Sequence, residues 1–309
     1  MALLLLGKIK AVETWMSLLQ QNLPNLEIRI WPHVGNSSEI DMILAGFDLP
    51  STLPPFPNLK LVISIGAGVD HILKNPTWIG NAAVVRVVSD SLTAQMVEYV
   101  TLAVLTFERR LMDYLVLKNT QQWQYLPTAD AGSFTIGILG LGVLGSAVAT
   151  QLKRLGFPVR GWSRTPKTLA GIEGFAGNDQ FHAFLRECRV LICLLPLTPE
   201  TEGILNLITF SALPQGAFLI NVARGSHLVE ADLLTALNSG QIAAAWLDVF
   251  QTEPLPKDHP FWLDERIIIT PHIAAVTLPS EVIPQVINAI DCYQTGKPLN
   301  NRVDLYRGY

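Results

Sequence analysis

Phe134-Thr135-Ile136-Gly137-Ile138-Leu139-Gly140-Leu141-Gly142-Val143-Leu144-Gly145 sets an apolar run directly against three spaced glycines, and a helical pattern follows. G-x-G-x-x-G in that position is the turn by which a buried strand enters a helix and receives a dinucleotide pyrophosphate. Gly140 permits the tight turn, Gly142 lets the main chain approach the phosphates, and Gly145 allows close helix–strand packing. The helix that opens at Val143 and Leu144 then turns its N-terminus to the phosphate charge. Such a turn belongs to a parallel sheet covered by helices, so the stretch decides the fold class.

Working outward, apolar runs recur between helical or loop stretches. Downstream they predict strands at Phe134–Leu139, Val159–Trp162, Val190–Leu194, Ala217–Asn221, Ala243–Leu247 and Ile267–Ile269, the set of a dinucleotide-binding sheet. Upstream, Leu3–Leu6, Leu26–Ile30, Asp41–Leu44, Lys60–Ile65 and Val84–Val87 predict a second parallel sheet. Between the two series, Ser91 to Asn119 lacks Gly and Pro and predicts one long, mostly buried helix. Ser280 to Tyr293 predicts a final helix that packs back on another domain. The expected architecture is α/β, with two Rossmann-like domains and an active site in the cleft between them. Residues 1–95 form a flavodoxin-like substrate-side domain completed by 278–309, and 96–277 form the cofactor domain.

The length of 309 residues and 49% hydrophobic content suffice for two cores. A net charge of −4 with scattered basic residues argues against nucleic acid as a partner. The run Leu3–Leu6 has no basic leader and is too short for a membrane span or a signal core, so it is read as a buried strand. Three cysteines, Cys188, Cys193 and Cys292, cannot all pair, which favours a reduced cytoplasmic protein. His33, His71, His182, His227 and His259 show no metal-ligand spacing and are expected at the surface or as caps.

The second strand of an NAD-binding unit ends, about twenty residues after the glycines, in an acid that takes the ribose 2′-hydroxyl. Here Val159-Arg160-Gly161-Trp162 runs into Ser163-Arg164-Thr165-Pro166-Lys167, offering cations in place of the carboxylate. That suits the 2′-phosphate of NADPH, with NADH the poorer alternative; the competing reading makes Arg164 and Lys167 ordinary solvated charges. Three later strands end in chemistry at the carboxyl edge, where open α/β sheets bind ligands. They lead into Asn221-Val222-Ala223-Arg224-Gly225, Asp248-Val249-Phe250-Gln251-Thr252-Glu253-Pro254 and Thr270-Pro271-His272. The strand before them ends in the turn Leu194-Leu195-Pro196-Leu197.

In that order, these boxes resemble the D-2-hydroxyacid dehydrogenases over essentially the whole chain, and Ile65-Gly66-Ala67-Gly68-Val69-Asp70 resembles the family's substrate-carboxylate loop. Trp162-Ser163-Arg164, the Phe134–Gly145 stretch and Tyr306-Arg307-Gly308-Tyr309 are most similar to the branch that reduces glyoxylate and hydroxypyruvate. The resemblance implies a reductase of small 2-oxo acids, with His272 as general acid, Glu253 as its partner and Arg224 binding the carboxylate and polarising the oxo group. It implies substrate contacts from the amides of Ala67 and Gly68. Cofactor contacts are implied for Gly140, Gly142, Val143, Leu144, Gly145, Ser163, Arg164, Lys167, Leu195, Pro196, Val222, Ala223 and Asp248. A homodimer is implied, and Trp123 is either a packing residue or one that reaches a neighbouring subunit's site. Two rivals remain: a non-enzymatic NAD(P)-sensing protein on the same fold, and a dehydrogenase of another 2-oxo acid such as pyruvate.

Overall fold

The computed structural model describes residues 2–127, 132 and 134–308. The stretch between Gln121 and Gly132 and the tail motif ending at Tyr309 therefore lie partly outside the described residues. The chain divides into two compact units, 1–92 with 276–309, and 93–275.

The first unit is a five-stranded parallel sheet of order β2-β1-β3-β4-β5. Its strands are β1 (Ala2–Leu6), β2 (Glu27–Ile30), β3 (Ile40–Ala45), β4 (Leu61–Ser64) and β5 (Ala83–Arg86). β1 sits between two neighbours and is buried along its whole length, as a continuous apolar run in a two-faced parallel sheet must be. One face is covered by helix α1 (Val12–Asn22) through Trp15 and Leu19, and by the final helix through Val282, Val286 and Ile290. The other carries Phe56, Leu59 and Ile72, the last from the short helix α2 (Asp70–Leu73).

Helix formation between the two strand series departs from expectation. In place of one helix over Ser91–Asn119 there are two, α3 (Asp90–Glu108) and α4 (Leu111–Asn119). Arg110 takes the left-handed conformation (φ 56°), which ends one α-helix and opens another. α4 buries none of its residues, and Leu111, Leu115 and Val116 are exposed, so the apolar composition did not report burial there.

The second unit is a seven-stranded parallel sheet of order β12-β11-β10-β9-β6-β7-β8. Its strands are β6 (Ile136–Leu139), β7 (Val159–Ser163), β8 (Glu173–Ala176), β9 (Val190–Cys193), β10 (Ala217–Asn221), β11 (Ile242–Leu247) and β12 (Ile267–Ile269). β8 escaped the sequence reading because it is an edge strand, Glu-Gly-Phe-Ala, with no fully buried residue and hence no apolar run. The helix α5 (Val143–Arg154) packs with α3 on one face. On the other lie α6 (Phe181–Leu185), α7 (Leu207–Ser211) and α8 (Glu230–Asn238). The last helix of the chain, α9 (Pro279–Thr295), belongs to the first unit and contacts α1 and β4. Among the described residues no helix is long and apolar enough to cross a membrane.

Candidate active site

Strand register sets the geometry of the site. Trp162 pairs with Leu139, Leu139 with Cys193, Cys193 with Asn221, Asn221 with Leu247, and Leu247 with Ile269, forming one row across the sheet. Whatever follows that row emerges at one carboxyl edge: Gly140 after β6, Ser163 at the end of β7, Leu195 after β9, Arg224 after β10, Glu253 after β11 and His272 after β12.

At the glycine turn, Gly140 has φ +99°, and a β-carbon there would stand 2.7 Å from the Leu194 carbonyl. A side chain at Gly145 would meet the Gly140 carbonyl at 1.8 Å, so the helix lies against its own turn. Gly142 has nothing within 4 Å of that position and is exposed, leaving main chain open at the start of α5. Val143 is exposed and Leu144 half-buried. This is a cradle that fits a pyrophosphate. Ser163 is buried and donates its hydroxyl to the Thr165 carbonyl (2.8 Å), which shapes the turn that carries Arg164 and Lys167 into solvent. Nearby, Glu200 is held below the ordinary carboxyl value by Thr198, by its own amide and by the charge of Arg164. No carboxylate follows β7 directly, and the exposed cations fit a 2′-phosphate.

The sequence box Asn221–Gly225 works as a clamp. Asn221 is fully buried; its amide nitrogen donates to the Arg224 carbonyl (3.0 Å) and its oxygen accepts the Ala223 amide (3.2 Å). Gly225 comes so near the next loop that a β-carbon would meet the Phe250 carbonyl carbon at 1.9 Å. Val222 and Ala223 are buried, while Arg224 is half-buried and donates to the Ala223 carbonyl (2.7 Å). His227 is not at the surface as expected. It is fully buried, with ring nitrogens 3.2 and 3.3 Å from the carbonyls of Arg224 and Pro196. A lone histidine in a polar loop carries no sequence signal of that burial. His71 likewise lies within α2, its ring 5.4 Å from Phe47. His259 is a cap, accepting the Phe261 amide, and approaches Glu230 at 3.2 Å.

His272 and Glu253 meet at 2.8 Å, Nδ1 to Oε2. The other carboxylate oxygen of Glu253 accepts the Phe250 amide (3.0 Å), so the main chain aims the carboxylate at the ring. Burial pulls the Glu253 carboxyl upward. The His272 hydrogen bond, the Phe250 amide and the charges of His272 and Arg224 outweigh it and hold the group below its usual value. The carboxylate takes Nδ1, and that bond sets the orientation of the ring.

The backbone of His272 is left-handed (φ 54°), a conformation that costs a non-glycine residue about 1–2 kcal/mol unless its surroundings hold it. Asp248 does the holding. Its carbonyl accepts the His272 amide (2.9 Å), and its carboxylate accepts Thr270 Oγ1 (2.6 Å) and the amides of Ile273 (2.9 Å) and Ala274 (2.8 Å). Asp248 is 1% exposed. Its carboxylate is directed into the His272 loop. Sequence reasoning also missed Tyr99 on α3. Its hydroxyl bonds Thr270 Oγ1 and accepts Trp246 Nε1 (2.6 Å), and burial pushes its pKa up to about 12. Nothing in the 3.6-residue pattern marks one tyrosine of a buried helix as part of this network.

Ala67 and Gly68 follow β4 in the first unit and are half-buried. Trp123 is fully exposed. The three cysteines are buried and free, and burial pushes Cys188 and Cys193 up to about 12.

A parallel sheet with a glycine cradle on its first strand, and Arg, Glu and His on three neighbouring ones, defines a nucleotide-dependent oxidoreductase. The family model for the D-isomer specific 2-hydroxyacid dehydrogenase NAD-binding domain matches residues 101–274, and the chain belongs to that family. It is 46% identical over 300 residues to glyoxylate/hydroxypyruvate reductase A of Yersinia enterocolitica, covering 96% of each chain. Among solved structures it superposes at TM-score 0.92 on a D-isomer specific 2-hydroxyacid dehydrogenase of Xanthobacter autotrophicus in complex with NADPH. That pair shares 38% identity, with 100% of this chain and 99% of the other covered. It superposes at 0.88 on the NADPH-dependent glyoxylate/hydroxypyruvate reductase of Sinorhizobium meliloti, 33% identical with both chains fully covered, in complex with NADP and sulfate.

Proposed function

We propose that this protein reduces small 2-oxo acids with NADPH, taking glyoxylate to glycolate and hydroxypyruvate to glycerate. The observation that carries the reading is the His272–Glu253 pair at 2.8 Å beside the Arg224 loop, on the sheet edge that also bears the glycine cradle. When bound, NADPH supplies the hydride to the oxo carbon. Arg224 binds the substrate carboxylate and draws charge onto the oxo oxygen, using a forked donor that a lysine cannot reproduce. His272 gives its Nε2 proton to that oxygen as the alcohol forms, and Glu253 keeps the ring oriented through Nδ1. Asp248 and Tyr99 fix the His272 backbone and are positioning residues. The amides of Ala67 and Gly68 are the proposed further contacts of the carboxylate. Gly140, Gly142, Val143, Leu144, Gly145, Leu195, Pro196, Val222, Ala223 and Asp248 are those of the cofactor, with Ser163, Arg164 and Lys167 at its 2′-phosphate.

The test is a spectrophotometric panel of glyoxylate, hydroxypyruvate, pyruvate and larger 2-oxo acids with NADPH and with NADH. The two small acids with NADPH are expected to give the highest kcat/KM. A preference for pyruvate, or for NADH, would overturn the substrate or the cofactor assignment separately. The reading also includes a cytoplasmic setting, which buried free thiols suit, and a homodimer, for which the exposed Leu111, Leu115 and Val116 of α4 offer apolar surface. Size-exclusion chromatography with light scattering decides the latter.

A further inference from the structure

Arg86, at the end of β5, is half-buried and donates from Nη1 to the Ala67 carbonyl at 3.2 Å. Burial holds its guanidinium below the usual arginine value, and among the described residues no carboxylate acts on it. A cation taken partly out of water without an anion is costly, so its retention asks for a reason. The neighbouring strand supplies the context. Ser64, fully buried at the end of β4 and paired in register with Arg86, donates its hydroxyl toward the carbonyls of Gly66 (3.1 Å) and Gly68 (3.0 Å).

Three successive carbonyls, of Gly66, Ala67 and Gly68, are thus engaged by Ser64 and Arg86. A trans peptide points its N–H opposite to its carbonyl, so the amides of Ala67, Gly68 and Val69 turn to the other side of the loop. None of those three amides donates to a group among the described residues. Consecutive open amides form a concavity that takes an anion, and the guanidinium behind them adds positive potential to the same peptides.

We propose that Arg86 is a positioning residue for substrate selection: with Ser64 it holds the Gly66–Val69 loop so that its amides receive a carboxylate, and its charge strengthens that reception. The proposal rests on the reading of the chain as a 2-oxo acid reductase. Within the first unit, however, it concerns only an anion and a loop, so it can be tested apart from turnover.

Oxalate, an unreducible dicarboxylate, is the probe, titrated into the intact protein with thermal shift and tryptophan fluorescence as readouts and then used as an inhibitor of glyoxylate reduction. Arg86→Leu removes both bond and charge, and Arg86→Lys keeps the charge and one donor. Arg86→Leu is expected to raise the oxalate dissociation constant and the KM for glyoxylate together, by about tenfold or more, as for a lost charge-assisted bond. NADPH affinity and kcat should stay within about twofold, and Arg86→Lys should recover most of the loss. Unchanged oxalate binding in a folded Arg86→Leu protein overturns the proposal. So does a variant whose NADPH affinity and Tm fall as far as its oxalate affinity, since that is a general packing defect. A parent that binds oxalate through Arg86 but reduces no 2-oxo acid would overturn the functional reading alone.

Discussion

The two sheets begin alike and end differently. Each opens with a buried central strand that turns at a glycine of positive φ, Gly7 (φ +81°) after β1 and Gly140 (φ +99°) after β6. After Gly7 the chain does not enter a helix. Lys8 forms a bridge with Phe47, and β-carbons at Gly7 and Gly46 would collide with the Phe47 and Lys8 carbonyls at 2.7 and 2.5 Å. Main chain from two strand ends closes that mouth, and α1 starts only at Val12. After Gly140, α5 starts at Val143, and Gly142 has open space where Gly7 has a carbonyl. One topology therefore yields a closed mouth in one unit and a nucleotide cradle in the other. The difference is how soon the helix begins and whether a neighbouring loop crosses the strand end.

Arg224, Glu253 and His272 all follow strand ends on the carboxyl edge of the second sheet, and removing one of them should have the largest effect. His272→Ala is expected to lower kcat by ~10²–10⁴-fold, as for a lost general acid, while NADPH titrated by fluorescence binds with nearly unchanged affinity. Turnover close to that of the parent would move the proton donor elsewhere.

The two turns can be broken separately. A methyl at Gly145 meets backbone at 1.8 Å and at Gly7 meets it at 2.7 Å, so both substitutions should cost roughly 1–3 kcal/mol in stability. Only Gly145→Ala displaces the cradle, and it should weaken NADPH on the order of tenfold or more. Gly7→Ala should lower Tm and leave NADPH affinity alone; a parallel loss in both would erase the distinction.

Cofactor choice sharpens the cradle further. Arg164→Ala should narrow the kcat/KM preference for NADPH over NADH by roughly ten- to a hundredfold, the value of one charge-assisted bond to a phosphate. A ratio that does not move would assign the 2′-phosphate to other residues.

The smallest effect is on pH. The Glu253 carboxyl is depressed in the fold, so its stabilising contribution is present above the ordinary carboxylate range and is lost as pH falls through the folded value below it. Urea midpoints for the parent and Glu253→Gln should therefore differ at neutral pH and converge in acid. The difference should be modest because both side chains of the pair remain over a third exposed. A gap that widens in acid would contradict the depressed carboxyl.

Nearly all the strands were legible because a strand buried on both faces must be apolar throughout, and chains such as Leu3–Leu6 and Val190–Cys193 have no other reading. β8 was missed because an edge strand needs no such run, and the break at Arg110 because a left-handed arginine has no composition signal. The catalytic candidates Arg224, Glu253 and His272 stand out in the sequence because each follows a strand and carries chemistry that a strand end does not need for packing. Their supports do not stand out. Tyr99, Asp248 and His227 act through contacts with residues far along the chain, such as Tyr99 with Thr270 and His227 with Pro196, and local pattern holds no record of such partners.

By itself the sequence determined two parallel sheets, a nucleotide turn without a ribose acid, and the identity of three residues at one sheet edge. These follow from local rules: periodicity, the need for glycine at a tight turn, and the charge of a side chain. Only the tertiary structure decided that Asp248 braces the His272 loop, that His227 is buried, and that the β1 mouth is closed while the β6 mouth is open. Each of those depends on which backbone groups a distant loop brings within hydrogen-bonding distance, and strand register, not local sequence, sets that distance.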